Sequence, residues 1–142
     1  MNPTEEYTPS APSIATGDGF EPDLSFIQFL WIWNRSQGRE TPLLHERIAF
    51  WLEHQWRHDV RRLLLTIFRD AGKSTIVGLF CCWVLRRTPD LRILVLSAEQ
   101  GLASKMTRAI RRIIEQHPAT GALEPDRTES WTRDQLTVRR LR

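Results

Sequence analysis

The chain has 142 residues, of which 41% are hydrophobic, and its 20 Lys and Arg against 17 Asp and Glu give a formal net charge of +3. That length suits one domain with a sizeable core. No apolar run reaches the roughly 20 residues of a membrane span, and the first twelve residues lack the basic start of a secretory signal. The two cysteines, Cys81 and Cys82, are neighbours, which excludes a disulfide framework and fits a reducing compartment.

The charge is uneven. Residues 1–23 hold five acids, no Lys or Arg and four of the eight prolines; this composition predicts a disordered leader. The rest carries 20 basic and 12 acidic residues, a net of +8. Such a balance favours a polyanionic partner, nucleotide or nucleic acid, although an ordinary basic surface has the same composition.

After the leader, Phe26, Phe29, Leu30 and Trp33 recur at helical spacing, predicting a helix over 24–34 with Asp23 or Ser25 as its cap. Gly38 breaks the chain. Thr41-Pro42 starts a second helix, with Pro42 at its first position. Leu44, Ile48, Trp51, Leu52 and Gln55 carry that helix to about Arg57. Four of the six tryptophans lie in these two helices and are read as packing residues. His54 and His58 have the spacing of a metal pair without a third ligand and are read as helix-end histidines. His45-Glu46 begins like a zinc-protease helix, but Ala49 stands where the second histidine would be.

Residues 61–68 form an almost continuous apolar run, expected as a strand covered on both faces. A third helix is predicted from the Gly-Lys-Ser turn to Arg87. Residues 91–97 form a second expected strand. A fourth helix is predicted over 99–116, with Ser97 as its cap, and Leu136 to Arg139 alternates like a third strand. Strand, helix, strand, helix implies a parallel sheet. The expected organisation is therefore a leader at 1–23, a helical segment at 24–60 and an α/β nucleotide-binding domain at 61–142.

The chemistry is concentrated in Arg69-Asp70-Ala71-Gly72-Lys73-Ser74-Thr75. An apolar run, a tight Gly-Lys-Ser turn and a helix are the layout of a phosphate-binding loop. Gly72 lets the backbone approach the anion. The first amides of the helix have no intrahelical partners and point outward. Lys73 would reach the β- and γ-phosphates of ATP, Ser74 would ligate Mg²⁺, Thr75 would touch the α-phosphate and Arg69 the γ-phosphate. Arg69 and Lys73 are thus the expected catalytic residues. The first glycine of the usual motif is missing: Ile67 occupies its place. The second expected strand ends in Ser97-Ala98-Glu99-Gln100 rather than in an acid that would complete a metal site. Lys105, Arg108, Arg111 and Arg112 form a basic stripe on the fourth helix, more simply read as a solvated face than as a DNA contact.

These residues resemble a family, the large terminase subunits of tailed bacteriophages, which are ATP-driven DNA-packaging motors. The resemblance runs from about Ser25 to Arg140. It is carried by residues 41–48 (TPLLHERI), the Arg69 to Thr75 loop with its leading arginine, residues 89–99 (PDLRILVLSAE), Leu102-Ala103, and Trp131 with Leu136 to Arg139. It implies a RecA-like ATPase domain preceded by two N-terminal helices. It also implies that the acidic metal-binding strand, the coupling motif and an RNase H-like nuclease domain would lie beyond Arg142. The chain then reads as a truncated N-terminal portion, expected to bind ATP·Mg²⁺ with little turnover. Residues 42–47 resemble the region near the adenine, and Arg69 resembles the arginine that senses the γ-phosphate. The implied partners are double-stranded DNA, a portal, a small terminase subunit and further copies in a ring, in the cytoplasm of a bacterial host and without a membrane. The rival readings are another ATPase of helicase-like type and a non-catalytic basic fragment that binds nucleic acid or a protein partner.

Overall fold

The computed structural model describes residues 24–124 and 131–139. The expected leader and residues 140–142 lie outside the described residues. Helix α1, Phe26–Ser36, and helix α2, Leu43–Arg57, come first. Ser25 caps α1 in a reciprocal pair: its hydroxyl accepts from the Gln28 amide at 3.3 Å, and Gln28 Oε1 accepts from the Ser25 amide at 3.0 Å. Ser25→Ala should cost about 1 kcal/mol, read as a lowered urea midpoint at unchanged slope. Pro42 is the cap of α2 rather than its first helical residue.

Glu53 joins the two helices. One carboxylate oxygen accepts from the Phe26 amide at 2.8 Å, and the other meets Arg57 at 2.7 Å. Trp31 Nε1 donates to Glu46 at 2.9 Å, tying α1 to the first turn of α2.

Helix α3, Lys73–Arg87, is apolar on nearly every side from Ile76 to Leu85. Such a helix must be surrounded, and α3 packs against α1, α2 and the fourth helix, α4, Gln100–Gln116. Helix α4 has one apolar stripe, through Ile110, Ile113 and Ile114, and it buries that stripe against α3 and the short 3-10 turn Gly121–Leu123. Gly78 sits at this crossing; a Cβ there would stand 3.4 Å from Ile113 Cδ1. Trp33 and Trp83 belong to the core, as do the free thiols Cys81 and Cys82. Burial pushes the Cys81 thiol up to about 11 and raises that of Cys82 as well.

His117 closes the far end of α4. Its Nε2–H donates to Phe29 O at 2.9 Å, its Nδ1 accepts from the Ala119 amide at 3.0 Å, and its ring stacks on Phe29 at 3.8 Å. Both nitrogens are satisfied only in the neutral form. Burial is the main reason its pKa falls from 6.5 to about 4, with Arg86 adding to the fall and the Phe29 bond opposing it. Because the unfolded chain takes up the proton first, stability is complete above about pH 6.5 and declines towards pH 4. The loss is on the order of 3 kcal/mol. Urea titrations at pH 7 and pH 4.5 should show it, and His117→Gln should flatten the difference.

The expected parallel sheet is not found. Among the described residues there are four α-helices and one 3-10 turn, and no strand. The α/β, RecA-like reading is therefore corrected to an all-helical fold. Residues 61–68 and 91–97 form neither helix nor strand, although alternate residues of the first segment differ in burial. Leu65 and Ile67 lean on the core while Leu64 is 85% exposed; Leu94 and Leu96 are 80% and 83% exposed. No ladder hydrogen bond joins these segments to each other or to residues 135–139. A strand requires a neighbour at hydrogen-bonding distance. An apolar run does not supply that neighbour.

A candidate phosphate-binding turn at the start of helix α3

The turn is built from two left-handed residues. Asp70 has φ of 63° and Gly72 φ of 79°. The Ala71 amide closes the bend onto Phe68 O at 3.4 Å. Gly72 then caps α3 without any side-chain cap bond. Backbone folded through such left-handed positions forms a concavity of outward N–H groups. The first intrahelical bond belongs to Ile76, whose amide donates to Gly72 O at 3.1 Å. The amides of Gly72, Lys73, Ser74 and Thr75 have no acceptor among the described residues. The side chains of Lys73, Ser74, Thr75 and Arg69 are exposed and make no hydrogen bond or ion pair there. The start of α1, by contrast, is closed by its own side chains.

The sequence reading thus placed the turn and the helix start correctly, and Lys73, Ser74 and Thr75 are the first three residues of α3. Ser74 presents one exposed hydroxyl, the single side-chain ligand it would offer a magnesium ion. That fits a cation held mainly by nucleotide phosphates and water, which is how Mg²⁺ usually binds. No group of three or more His, Cys, Asp or Glu that could hold a metal is found among the described residues.

Residues 42–47, expected near the adenine, supply one neighbour of the turn through a contact the sequence did not specify. His45, in the first turn of α2, lies with Nε2 2.7 Å from Ala71 O. An added Cβ on Gly72 would stand 2.9 Å from His45 Cε1 and 3.0 Å from Nε2. Glycine is therefore required twice at this position, by φ and by the ring. Residues 26 apart carry no periodic signal of such a contact.

Other expected features fall elsewhere. His58 Nδ1 donates to His54 O at 2.7 Å, a helix-end arrangement. On the basic stripe, Arg111 donates to Thr132 O at 3.0 Å and stacks over Trp131, and Arg112 reaches Gln37 at 3.3 Å. Those two side chains hold neighbouring segments, while Lys105 and Arg108 face solvent. A cavity of about 760 Å³ lies between residues 89–95, 134–138 and α4, with Ser104 in its lining, and none of the turn's residues borders it. No described helix is long and apolar enough to cross a membrane.

The chain is 37% identical over 67 residues to the "Terminase, large subunit" of Enterobacteria phage T3. Over that stretch the chain resembles a phage terminase large subunit. The match takes in 47% of this chain and 11% of the phage protein, so the matched stretch spans about a tenth of that terminase. No family model matches the chain, and no solved structure matches it.

Proposed function

We propose that the chain binds a nucleoside triphosphate with Mg²⁺ at the Gly72-Lys73-Ser74 turn, as part of a terminase-type DNA-packaging motor. The observation that carries this reading is the open start of α3. Four backbone N–H groups without acceptors, an exposed lysine and an exposed serine hydroxyl lie together on a left-handed turn. An anion gains from both the free donors and the helix dipole. Lys73 would neutralise the β- and γ-phosphates, Arg69 the γ-phosphate, and Thr75 would contact the α-phosphate. Ser74 would hold the magnesium ion that arrives with the nucleotide. Asp70 and Ala71 shape the bend. The likeness to the phage T3 protein supplies the terminase context. In that context double-stranded DNA, a portal, a small terminase subunit and further copies of the motor are the proposed partners. The reading needs only the turn and the helix.

Calorimetric titration tests it. ATP·Mg²⁺ should bind more tightly than ADP, and AMP more weakly still, since each lost phosphate removes contacts with the turn. Lys73→Ala should weaken ATP binding by about ten- to a hundredfold, the worth of a charge-assisted contact. Equal affinity in the two proteins would refute the assignment. DNA binding that is strongly salt-dependent, indifferent to ATP and intact in Lys73→Ala would favour the basic-fragment reading instead.

A further inference from the structure

We propose that His45 is a positioning residue for this turn, which it sets from behind by holding the Ala71 carbonyl. The inference rests on the triphosphate-binding reading above and adds a residue from a different helix to it. A carbonyl oxygen only accepts, so the 2.7 Å contact requires the proton on His45 Nε2. The peptide joining Ala71 to Gly72 is planar and trans, so its C=O and N–H point in opposite directions. Pinning the carbonyl to His45 therefore aims the Gly72 N–H away from α2, on the side left without an acceptor. The ring occupies the volume that a side chain at position 72 would need. Donor and ring together leave this peptide one orientation.

His45 is itself well anchored. Its own amide donates to Pro42 O at 2.9 Å in the first turn of α2. The next residue, Glu46, is held by the Trp31 indole at 2.9 Å. Two hydrogen bonds, joined through the backbone between His45 and Glu46, thus link α1 to α2 and α2 to the turn. Preorganised donors are more effective than donors that must be ordered on binding. The turn gains this advantage from a residue that would touch no phosphate.

Three variants separate the elements of the proposal. His45→Phe keeps a ring of similar size but has no donor, His45→Gln keeps an N–H donor on a narrower side chain, and Lys73→Ala reports on the site itself. ATP·Mg²⁺ is the probe, followed by calorimetry, and the amide spectrum of the free protein is recorded for each variant. His45→Phe should weaken ATP binding about tenfold and shift or broaden the Gly72 amide resonance before any nucleotide is added. His45→Gln should restore most of the affinity and the resonance. Wild-type affinity and an unmoved Gly72 resonance in His45→Phe, alongside lost binding in Lys73→Ala, would overturn the positioning role and leave the site standing. Unchanged binding in Lys73→Ala as well would overturn both.

Discussion

Trp83→Ala should bring the chain close to unfolding at room temperature. Trp83 is fully buried at the centre of α3. Its ring lies 5.7 Å from Phe26 and 5.8 Å from Phe80, and its Nε1–H donates to Leu24 O at 2.8 Å. Truncation opens a cavity in a helix packed against three others and removes the donor for the Leu24 carbonyl. Such changes cost about 3–5 kcal/mol. Domains of this size are stable by about 5–15 kcal/mol, so the variant would keep little margin. Urea denaturation followed by far-ultraviolet circular dichroism should show a large drop in midpoint. Trp83→Phe, which keeps an aromatic ring and loses the hydrogen bond, should fall between. An unchanged midpoint in Trp83→Ala would mean that α3 is not the centre of the core.

The largest functional effect is expected from Gly72→Val. A β-branched residue at φ of 79° is strained, and its Cβ would stand 2.9 Å from the His45 ring. Relief requires either the ring or the turn to move. Movement of the ring breaks the hydrogen bond to Ala71, and movement of the turn redirects the amides of Gly72, Lys73 and Ser74. ATP affinity should fall more than a hundredfold, equivalent to about 3 kcal/mol. Gly38→Val is the matched control. Gly38 also has positive φ, at 66°, but an added Cβ there meets nothing within 4 Å. That variant should lose stability through backbone strain and keep its ATP affinity. Equal loss of binding in the two variants would trace the effect to global destabilisation rather than to the turn.

The contrast between these two glycines bears on what a sequence discloses. The four helices were legible because their signals are local. Apolar residues three and four apart marked α1 and α2, and an unbroken apolar stretch from Ile76 to Leu85 marked α3. The position of the Gly-Lys-Ser turn was legible for the same reason, since the glycine and the helix start lie within a few consecutive residues. The sheet was misread because pairing is not local. Residues 61–68 and 91–97 have the composition of strands, yet nothing within either segment states what lies beside it. The terminase likeness encouraged the same error, because it carried an expected sheet along with the turn. His45 was legible only as part of residues 42–47, expected near the adenine. Its contact with Ala71 comes from the packing of α2 beside α3, which no local pattern states, and the His45-Glu46 pair pointed to a metal site that Ala49 rules out. The charge pattern was legible only in part: composition showed a basic stripe on α4 but not that Arg111 and Arg112 are occupied by Thr132, Trp131 and Gln37.

The central claim is that the open start of α3 receives a triphosphate. Amide proton–nitrogen spectra recorded while ATP·Mg²⁺ is added to the wild-type chain test it most directly. Saturable shifts concentrated on Gly72, Lys73, Ser74 and Thr75, absent in Lys73→Ala, are the result this account predicts. Shifts confined to Lys105 and Arg108 on α4, or no shifts at all, would contradict it.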